Sequence, residues 1–399
     1  MHLNVFILSL ALVFANSAPP VVIMVTGIVC IDLAPYPSLA TLPAAIMMVG
    51  MGLNSIPAAL IMEKIGRKSG FLLSFSIAII AIFIVAYSIW IKSFVLLCLA
   101  LFFVGANLAF VSQFRFAAAE SVAPKIVGKA ISYVLLSGIF AAFIGPEVAK
   151  QAKDLIPNAP FVGSFICLGG LYLAGLIVLS FYRNINKPQQ TEKDSSRTIA
   201  EILKKPGVIL AITSGVVSYA VMVTIMMATP IQMHINDGYS MRYVTLIIQG
   251  HLLGMYVPSL FTGGLIQKFG VIKIMFAGVL CFLFSIFSNI VGHQIVNYAI
   301  GLVFLGIGWN LLFVSGTTLL TEQYTFSERF KIQAANDFIV YSIMAMGSLS
   351  AGALIHYLGW VNLNLIMLPF LIILIALLMV NVIASRKVEA KGMGTHPDP

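Results

Sequence analysis

Three ionisable residues lie inside long apolar segments, where a charge is costly. Arg115 lies near the end of one apolar run, five residues before Glu120. Asp337 lies near the start of another run, and His251 lies deep within a third. An arginine can bind a carboxylate or phosphate through its planar fork, and a histidine titrates near neutral pH. We therefore expect Arg115 to bind substrate or to form a gate pair, and we expect His251 and Asp337 to take part in proton coupling.

Each of these three residues also has a purely structural interpretation. Arg115 could extend its side chain to the membrane surface, and His251 could be a neutral, hydrogen-bonded residue of the core. Asp337 could belong to a helix-end network with Asn336 and Lys331. It could also be the opposite pole to Arg115, across two halves of the molecule. The sequence leaves these alternatives open.

Amide and indole side chains in the same kind of apolar run could contact a solute by hydrogen bonding or stacking. They are Asn107, Gln113, Trp309 and Asn310. Buried amides also bridge neighbouring helices, so a structural role is equally open for them. Four scattered cysteines form no CxxC pair and indicate neither a disulfide framework nor a metal site. With no nucleotide-binding loop or catalytic triad in the sequence, we expect no cofactor and no enzymatic activity.

A charged hairpin lies between two apolar runs. Glu63, Arg67 and Lys68 surround Gly66, and a weaker copy of the hairpin occupies residues 263–270, about half the chain later. Glu120 ends another apolar run, and we expect it to pair with Arg67. An ion pair between helix ends favours one packing of a helix bundle, because the pair is lost in the other packing. The same hairpin could instead only set the topology of the chain.

The elements that position these residues must be membrane-spanning helices. Of 399 residues, 60% are hydrophobic and 9% are charged, whereas a soluble chain carries about 25% charged residues. A span needs about 20 apolar residues to cross the bilayer. Such runs predict an all-α integral membrane protein with twelve spans. They are residues 3–31 (interrupted at Pro19-Pro20), 38–62, 69–91, 93–119, 126–149, 161–182, 208–233, 241–266, 273–292, 295–321, 333–357 and 361–384.

The positive charge follows the same topology. The net charge is +9, and most Lys and Arg residues lie at the chain ends and in the loops after even-numbered spans. Basic residues collect in cytoplasmic loops, so both termini are expected in the cytoplasm and no nucleic-acid partner is expected. The sequence divides into residues 1–183, a polar linker at 184–206, residues 207–385 and a tail at 386–399.

The two halves repeat in sequence. Residues 107–112 read Asn-Leu-Ala-Phe-Val-Ser, and residues 310–315 read Asn-Leu-Leu-Phe-Val-Ser, with nearly the same offset as the two hairpins. This repeat and the hairpin resemble the major facilitator superfamily of transporters. The resemblance implies two pseudo-symmetric six-helix bundles that rock about a central site. It also implies a gating role for Glu63, Arg67, Lys68 and Glu120. Gly145-Pro146 partly resembles a packing signature of superfamily antiporters, which would add these two residues to the gate.

Together these features predict a secondary active transporter in the inner membrane, which moves a small organic solute by alternating access. Arg115 would suit an anionic solute, and we expect proton coupling and a monomer in the lipid bilayer. An efflux pump for drugs or a siderophore is an alternative. A non-transporting sensor on a transporter fold is another, and it would require Arg115, His251 and Asp337 to be dispensable.

Overall fold

The apolar runs form α-helices, because a helix satisfies its own backbone hydrogen bonds where no water can do so. The computed structural model describes residues 3–36, 39, 42–185 and 197–393, and these residues contain helices and no strand. The N-terminal half contains α1 (Leu3–Ala15), α2 (Ala18–Leu33), α3 (Leu42–Ile65), α4 (Arg67–Trp90), α5 (Phe94–Ser112), α6 (Phe114–Glu120), α7 (Val127–Leu136), α8 (Gly138–Gln151) and α9 (Val162–Ser180). The linker contains α10 (Ile199–Leu203). The C-terminal half contains α11 (Pro206–Pro230), a π-helical turn (Ile231–Asn236), α12 (Met241–Tyr256), α13 (Ser259–Phe269), α14 (Val271–Val291), α15 (Ile295–Thr321), α16 (Arg329–Leu365) and α17 (Leu368–Met393).

These helices make twelve passes in two six-helix bundles, as predicted. Within the described residues, 11 helical segments are long and apolar enough to cross a membrane. The last of them, Arg329–Ile383, has 55 residues and would extend ~80 Å as one helix at ~1.5 Å per residue. Its backbone breaks at Gly359, which has φ 73° and ψ 173°. The segment therefore folds back into two passes.

Several passes contain breaks whose positions differ from the sequence prediction. The first pass breaks at Asn16 and Ser17, whereas Pro19 and Pro20 lie in the first turn of α2. The predicted interruption at the two prolines was therefore slightly misplaced, because the first helical turn does not need the N–H that proline lacks. The fourth pass breaks at Gln113, which separates α5 from α6. This break was not expected, and it lies beside Arg115.

The repeat of the two halves is visible in the backbone. Gly66 precedes α4 with φ 84° and ψ 159°, and Gly270 precedes α14 with φ 86° and ψ 156°. This conformation is essentially restricted to glycine. Both hairpins therefore turn in the same way, as the sequence offset predicted.

Each half buries an apolar core, and Phe330 of α16 packs into the N-terminal one. Smaller clusters also join the halves. One such cluster contains Phe116 of α6 together with Ile202 and Ile332. Another contains Ile131 of α7 and Ile266 of α13. The seam between the halves therefore runs beside α6, α7 and α13. Part of the predicted linker, residues 186–196, lies outside the described residues, as do residues 394–399 of the tail. The predicted domain boundaries remain a prediction.

Candidate gate and substrate site between the two halves

An ion pair buried between the halves joins Arg115 to Asp337. The break at Gln113 starts α6 one residue before Arg115, whose side chain is 3% exposed. The Arg115 guanidinium pairs with the Asp337 carboxylate, which is 0% exposed. Its Nη1 also donates to the hydroxyl of Tyr341 at 3.0 Å. The structure thus brings together two residues that lie 222 positions apart in the chain.

Asp337 has further hydrogen-bond donors besides Arg115. The Ser112 hydroxyl donates to Oδ2 at 2.9 Å, and Gln113 Nε2 donates to the same oxygen at 2.7 Å. Asn336 Nδ2 donates to Oδ1 at 2.9 Å. Each oxygen of the buried carboxylate thus has hydrogen-bond donors, as a buried polar group requires. In this conformation Arg115 and Asp337 neutralise each other, and neither charge is left for a solute.

One face of α16 carries the groups that bind the N-terminal half. Gln333, Asp337 and Tyr341 are spaced by four residues, and residues at this spacing lie on the same face of a helix. Gln333 and Tyr341 were not among the predicted site residues. Their four-residue spacing on either side of Asp337 was the signal that could have found them.

A second ion pair lies closer to the helix ends. Arg67 Nε donates to Glu120 Oε2 at 2.8 Å, and Arg67 Nη2 donates to Oε1 at 2.6 Å. This bidentate geometry confirms the expected pairing of the two residues. Arg67 Nη2 also donates to Gln333 Oε1 of the other half at 2.8 Å. We call this end of the bundle, where Arg67 and Glu120 lie, the charged end.

Neighbouring groups complete the charged end. Arg329 Nε lies 3.9 Å from Glu120 Oε1, and Gln333 Nε2 donates to the Tyr324 hydroxyl at 2.7 Å. Burial raises the pKa of the Tyr324 hydroxyl, which therefore stays neutral. Glu63 is exposed, and the backbone N–H of Lys68 donates to Asn184 Oδ1. The gating roles expected for Glu63 and Lys68 remain predictions.

An aromatic cluster from the C-terminal half lies next to Arg115. Trp309 and Phe313, one turn apart on α15, stack with centroids 5.1 Å apart and an interplanar angle of 17°. Tyr219 of α11 meets both rings edge-on, at 5.5 Å and 5.3 Å. The Arg115 guanidinium lies 4.4 Å from the Phe313 centroid. Trp309 is thus linked to Arg115 through the Phe313 ring, and its role in substrate binding remains a prediction.

Buried polar atoms of Trp309, Gln113 and Arg115 lack hydrogen-bond partners among the described residues. They are Trp309 Nε1, Gln113 Oε1 and Arg115 Nε. A buried polar atom without a partner is costly unless a ligand or water satisfies it. The donor on Trp309 and the acceptor on Gln113 could therefore serve a bound solute.

Two other predicted substrate residues, Asn107 and Asn310, make their hydrogen bonds within their own halves. Asn107 Nδ2 donates to Ser74 at 3.1 Å within the N-terminal half. Asn310 is bonded on both sides of its amide within the C-terminal half, accepting from Thr262 and donating to Met255 and Ser259. Both amides thus bridge helices in this conformation, and their substrate roles remain predictions.

His251 contacts Leu302 of its own half, and Gly145 of the Gly145-Pro146 pair contacts Ser17 of its own half. His251 is 0% exposed, and its Nδ1 lies 2.8 Å from the Leu302 carbonyl oxygen. Its Nε2 has no partner among the described residues. Gly145 lies against the backbone of Ser17, where an added Cβ would come within 2.5 Å of the Ser17 carbonyl oxygen. The described residues contain no group of three or more metal-ligating side chains.

Comparison with known proteins identifies the family. Residues 3–250 match the family model of the Major Facilitator Superfamily. The chain belongs to this superfamily. It is 37% identical over 386 residues to the riboflavin transporter RfnT of Brucella anthropi, with 96% of each chain covered. It is 26% identical to the MFS-type transporter YdeG of Bacillus subtilis, covering 91% of this chain and 88% of the relative.

Solved structures show the same fold at much lower identity. The E. coli fucose:proton symporter FucP superposes with a TM-score of 0.73 and 12% identity, covering 94% of this chain and 98% of that chain. The human organic anion transporter MFSD10 gives a TM-score of 0.75 and 11% identity, covering 94% and 99%. This member of the superfamily is thus a multi-pass membrane transporter with two six-helix bundles.

Proposed function

We propose that this protein is a proton-coupled secondary transporter of riboflavin or a closely related flavin in the inner membrane. The observation that carries the proposal is the aromatic cluster of Trp309, Phe313 and Tyr219 beside Arg115. The relative named as a riboflavin transporter, 37% identical over almost the whole chain, supports the choice of solute. The proposal narrows the small organic solute expected from the sequence to one chemical class.

The chemistry of a flavin matches this cluster. The flavin ring system is a flat, neutral heteroaromatic with carbonyl acceptors and one N–H donor along an edge. Aromatic pairs contribute about 0.5–1.5 kcal/mol beyond the area they bury. The free N–H of Trp309 could donate to a ring carbonyl, and the free oxygen of Gln113 could accept from the ring N–H. The unpartnered buried atoms thus include one donor for a flavin carbonyl and one acceptor for the flavin N–H.

Alternating access would follow from breaking the ion pairs at the seam. The charged end is closed here, because Arg115 and Arg67 are bound to Asp337 and Gln333 of the other half. We infer that this end faces the cytoplasm, since basic loops stay on that side. When the halves separate, Asp337 would lose Arg115 and could then accept a proton. This step would couple proton movement to opening, with His251 as the second proposed coupling residue.

A binding measurement with a matched control tests the proposal. Flavin fluorescence is quenched when the ring stacks on an indole, so titration of riboflavin with purified protein in detergent should give saturable quenching. Trp309→Leu should abolish the quenching. Trp360→Leu is the matched control, because Trp360 is also buried but its N–H donates to the Asn289 carbonyl, at 2.8 Å.

Transport is measured in proteoliposomes whose internal and external pH differ. Riboflavin accumulation that follows the imposed proton gradient would support coupled transport. Loss of binding in both tryptophan variants would show a general packing defect. Absence of flavin binding to the wild-type protein would overturn the proposal. A response only to cationic drugs or a siderophore would then favour the efflux alternative.

A further inference from the structure

The segment Arg197 to Leu203, which we call the strap, is anchored at the charged end. Arg197 Nε donates to Glu328 Oε1 at 2.6 Å, and Arg197 Nη2 donates to Oε2 at 2.5 Å. Glu328 is 2% exposed, whereas Arg197 is 34% exposed. The Thr325 N–H also donates to Glu328, at 2.9 Å. This bidentate pair therefore fixes one end of the strap to the loop before α16.

The rest of the strap is a single capped helical turn. The Thr198 hydroxyl accepts from the N–H of Glu201, and the Glu201 carboxylate accepts from the N–H of Thr198. Five helical residues are too few to be stable alone in water. Packing must therefore hold the turn, and Ile202 supplies it with a side chain that is 0% exposed.

Ile202 is buried in a cluster that crosses the seam. The cluster contains Phe116 from the N-terminal half and Val208 and Ile332 from the C-terminal half. The Phe116 ring also lies 4.6 Å from the Arg115 guanidinium, at the gate itself. If the halves separate at the charged end, Phe116 leaves with the N-terminal half. The apolar cover of the strap is then reduced.

The bond between Arg197 and Glu328 is the second link between the strap and the gate residues of α16. Glu328 directly precedes α16, the helix whose face carries Gln333 and Asp337. Holding Glu328 in place therefore fixes the start of α16. This helix supplies Asp337 and Gln333, which bind Arg115 and Arg67 of the other half. The strap is thus attached beside the gate at two points, through Ile202 in the cluster with Phe116 and through the bond of Arg197 to Glu328.

We infer that the strap is a conformational latch, which favours the state with the charged end closed and loses its apolar contact with the N-terminal half when that end opens. The inference rests on the anchoring of Arg197 and the burial of Ile202 at the seam. It does not depend on which solute is carried.

The test measures the closed population directly. Spin labels are placed at Lys64→Cys and Lys268→Cys, exposed and equivalent positions of the two hairpins, after Cys167 and Cys281 are replaced by serine. Electron–electron resonance then gives the distribution of distances across the charged end. Wild-type protein should show mainly the short, closed distance. The full-length chain is used throughout.

The strap variants should populate the open state more. Arg197→Gln combined with Glu328→Gln removes both charges, so it leaves no unpaired buried carboxylate, and the protein should fold. We expect its open-to-closed ratio to rise about fivefold or more, and Ile202→Ser to act in the same direction. Lys204→Gln is the control, because Lys204 is an exposed cation just after the strap.

Two results would overturn the inference. One is an unchanged distance distribution in both the double variant and Ile202→Ser, with each variant eluting as a folded monodisperse species. The other is an equal shift in Lys204→Gln, which would assign the effect to the charge of the linker in general. A shift confined to the strap variants supports the latch, whether or not flavin is transported.

Discussion

Breaking the buried pair should shift the gate strongly towards the open state. Asp337→Ala would leave Arg115 as a buried cation whose partners are the hydroxyl and ring of Tyr341 and the faces of Phe116 and Phe313. Removing one partner of a buried ion pair costs about 3–5 kcal/mol. The closed state carries this cost, because opening lets water reach Arg115. At about 1.4 kcal/mol per tenfold, the open-to-closed ratio should rise about 100-fold or more.

A double-mutant cycle separates the pair from the two residues taken singly. Arg115→Leu combined with Asp337→Ala removes both charges, so its effect should be much smaller than the sum of the single effects. The assay is the spin-label distance distribution across the charged end, together with thermal unfolding of each variant. A coupling energy below about 0.5 kcal/mol would refute the reasoning, since residues in contact within one network should couple by more.

Exchanging Arg115 and Asp337 tests the same pair in a second way. The combination of Arg115→Asp and Asp337→Arg should restore part of the closed population that each single substitution loses. Restoration should be incomplete, because Ser112 and Gln113 donate hydrogen bonds that suit a carboxylate at position 337 and not a guanidinium. No restoration at all would argue that the pair does not control the gate.

The remaining predictions concern three other sites. Gly263→Ala should weaken the seam, because a Cβ there would come within 2.6 Å of the α7 backbone; Gly264→Ala, which meets nothing within 4 Å, should leave the closed fraction and the thermal midpoint unchanged. Hydrogen bonds from Arg197 lower the pKa of Glu328 to about 2. The ionised Glu328 therefore contributes its full stabilisation of the folded protein above the ordinary pKa of 4.5, and this contribution is lost as the pH falls through about 2. Glu328→Gln should therefore lower stability by roughly 1–2 kcal/mol at pH 7, after allowance for solvent around Arg197, and the difference should shrink in unfolding measurements below pH 4.5. His251→Ala should flatten the pH dependence of uptake if His251 carries a coupling proton, and an unaltered profile in proteoliposomes would assign it to the core.

The sequence predicted the fold well because the signals for it are local. A long apolar run must become a helix wherever water is absent, and basic residues between the runs predict the orientation of the loops. Gly66 and its repeat at Gly270 also predicted equivalent hairpin turns, since their backbone conformation excludes side chains. Arg67 and Glu120 could be paired from the sequence, because both lie at the ends of apolar runs.

Only the tertiary structure decided which buried groups meet. The sequence offered Asp337 both as the opposite pole to Arg115 and as a member of a helix-end network, and only the packing of the two bundles showed that the pair forms. The same packing places the Phe313 ring against Arg115 and makes Asn310 a bridge within one half. A bilayer-spanning sequence is apolar on nearly every face, so it specifies that a residue is buried without specifying what buries it. The sequence alone determined the helices and their order, and the contacts between the bundles determined the gate.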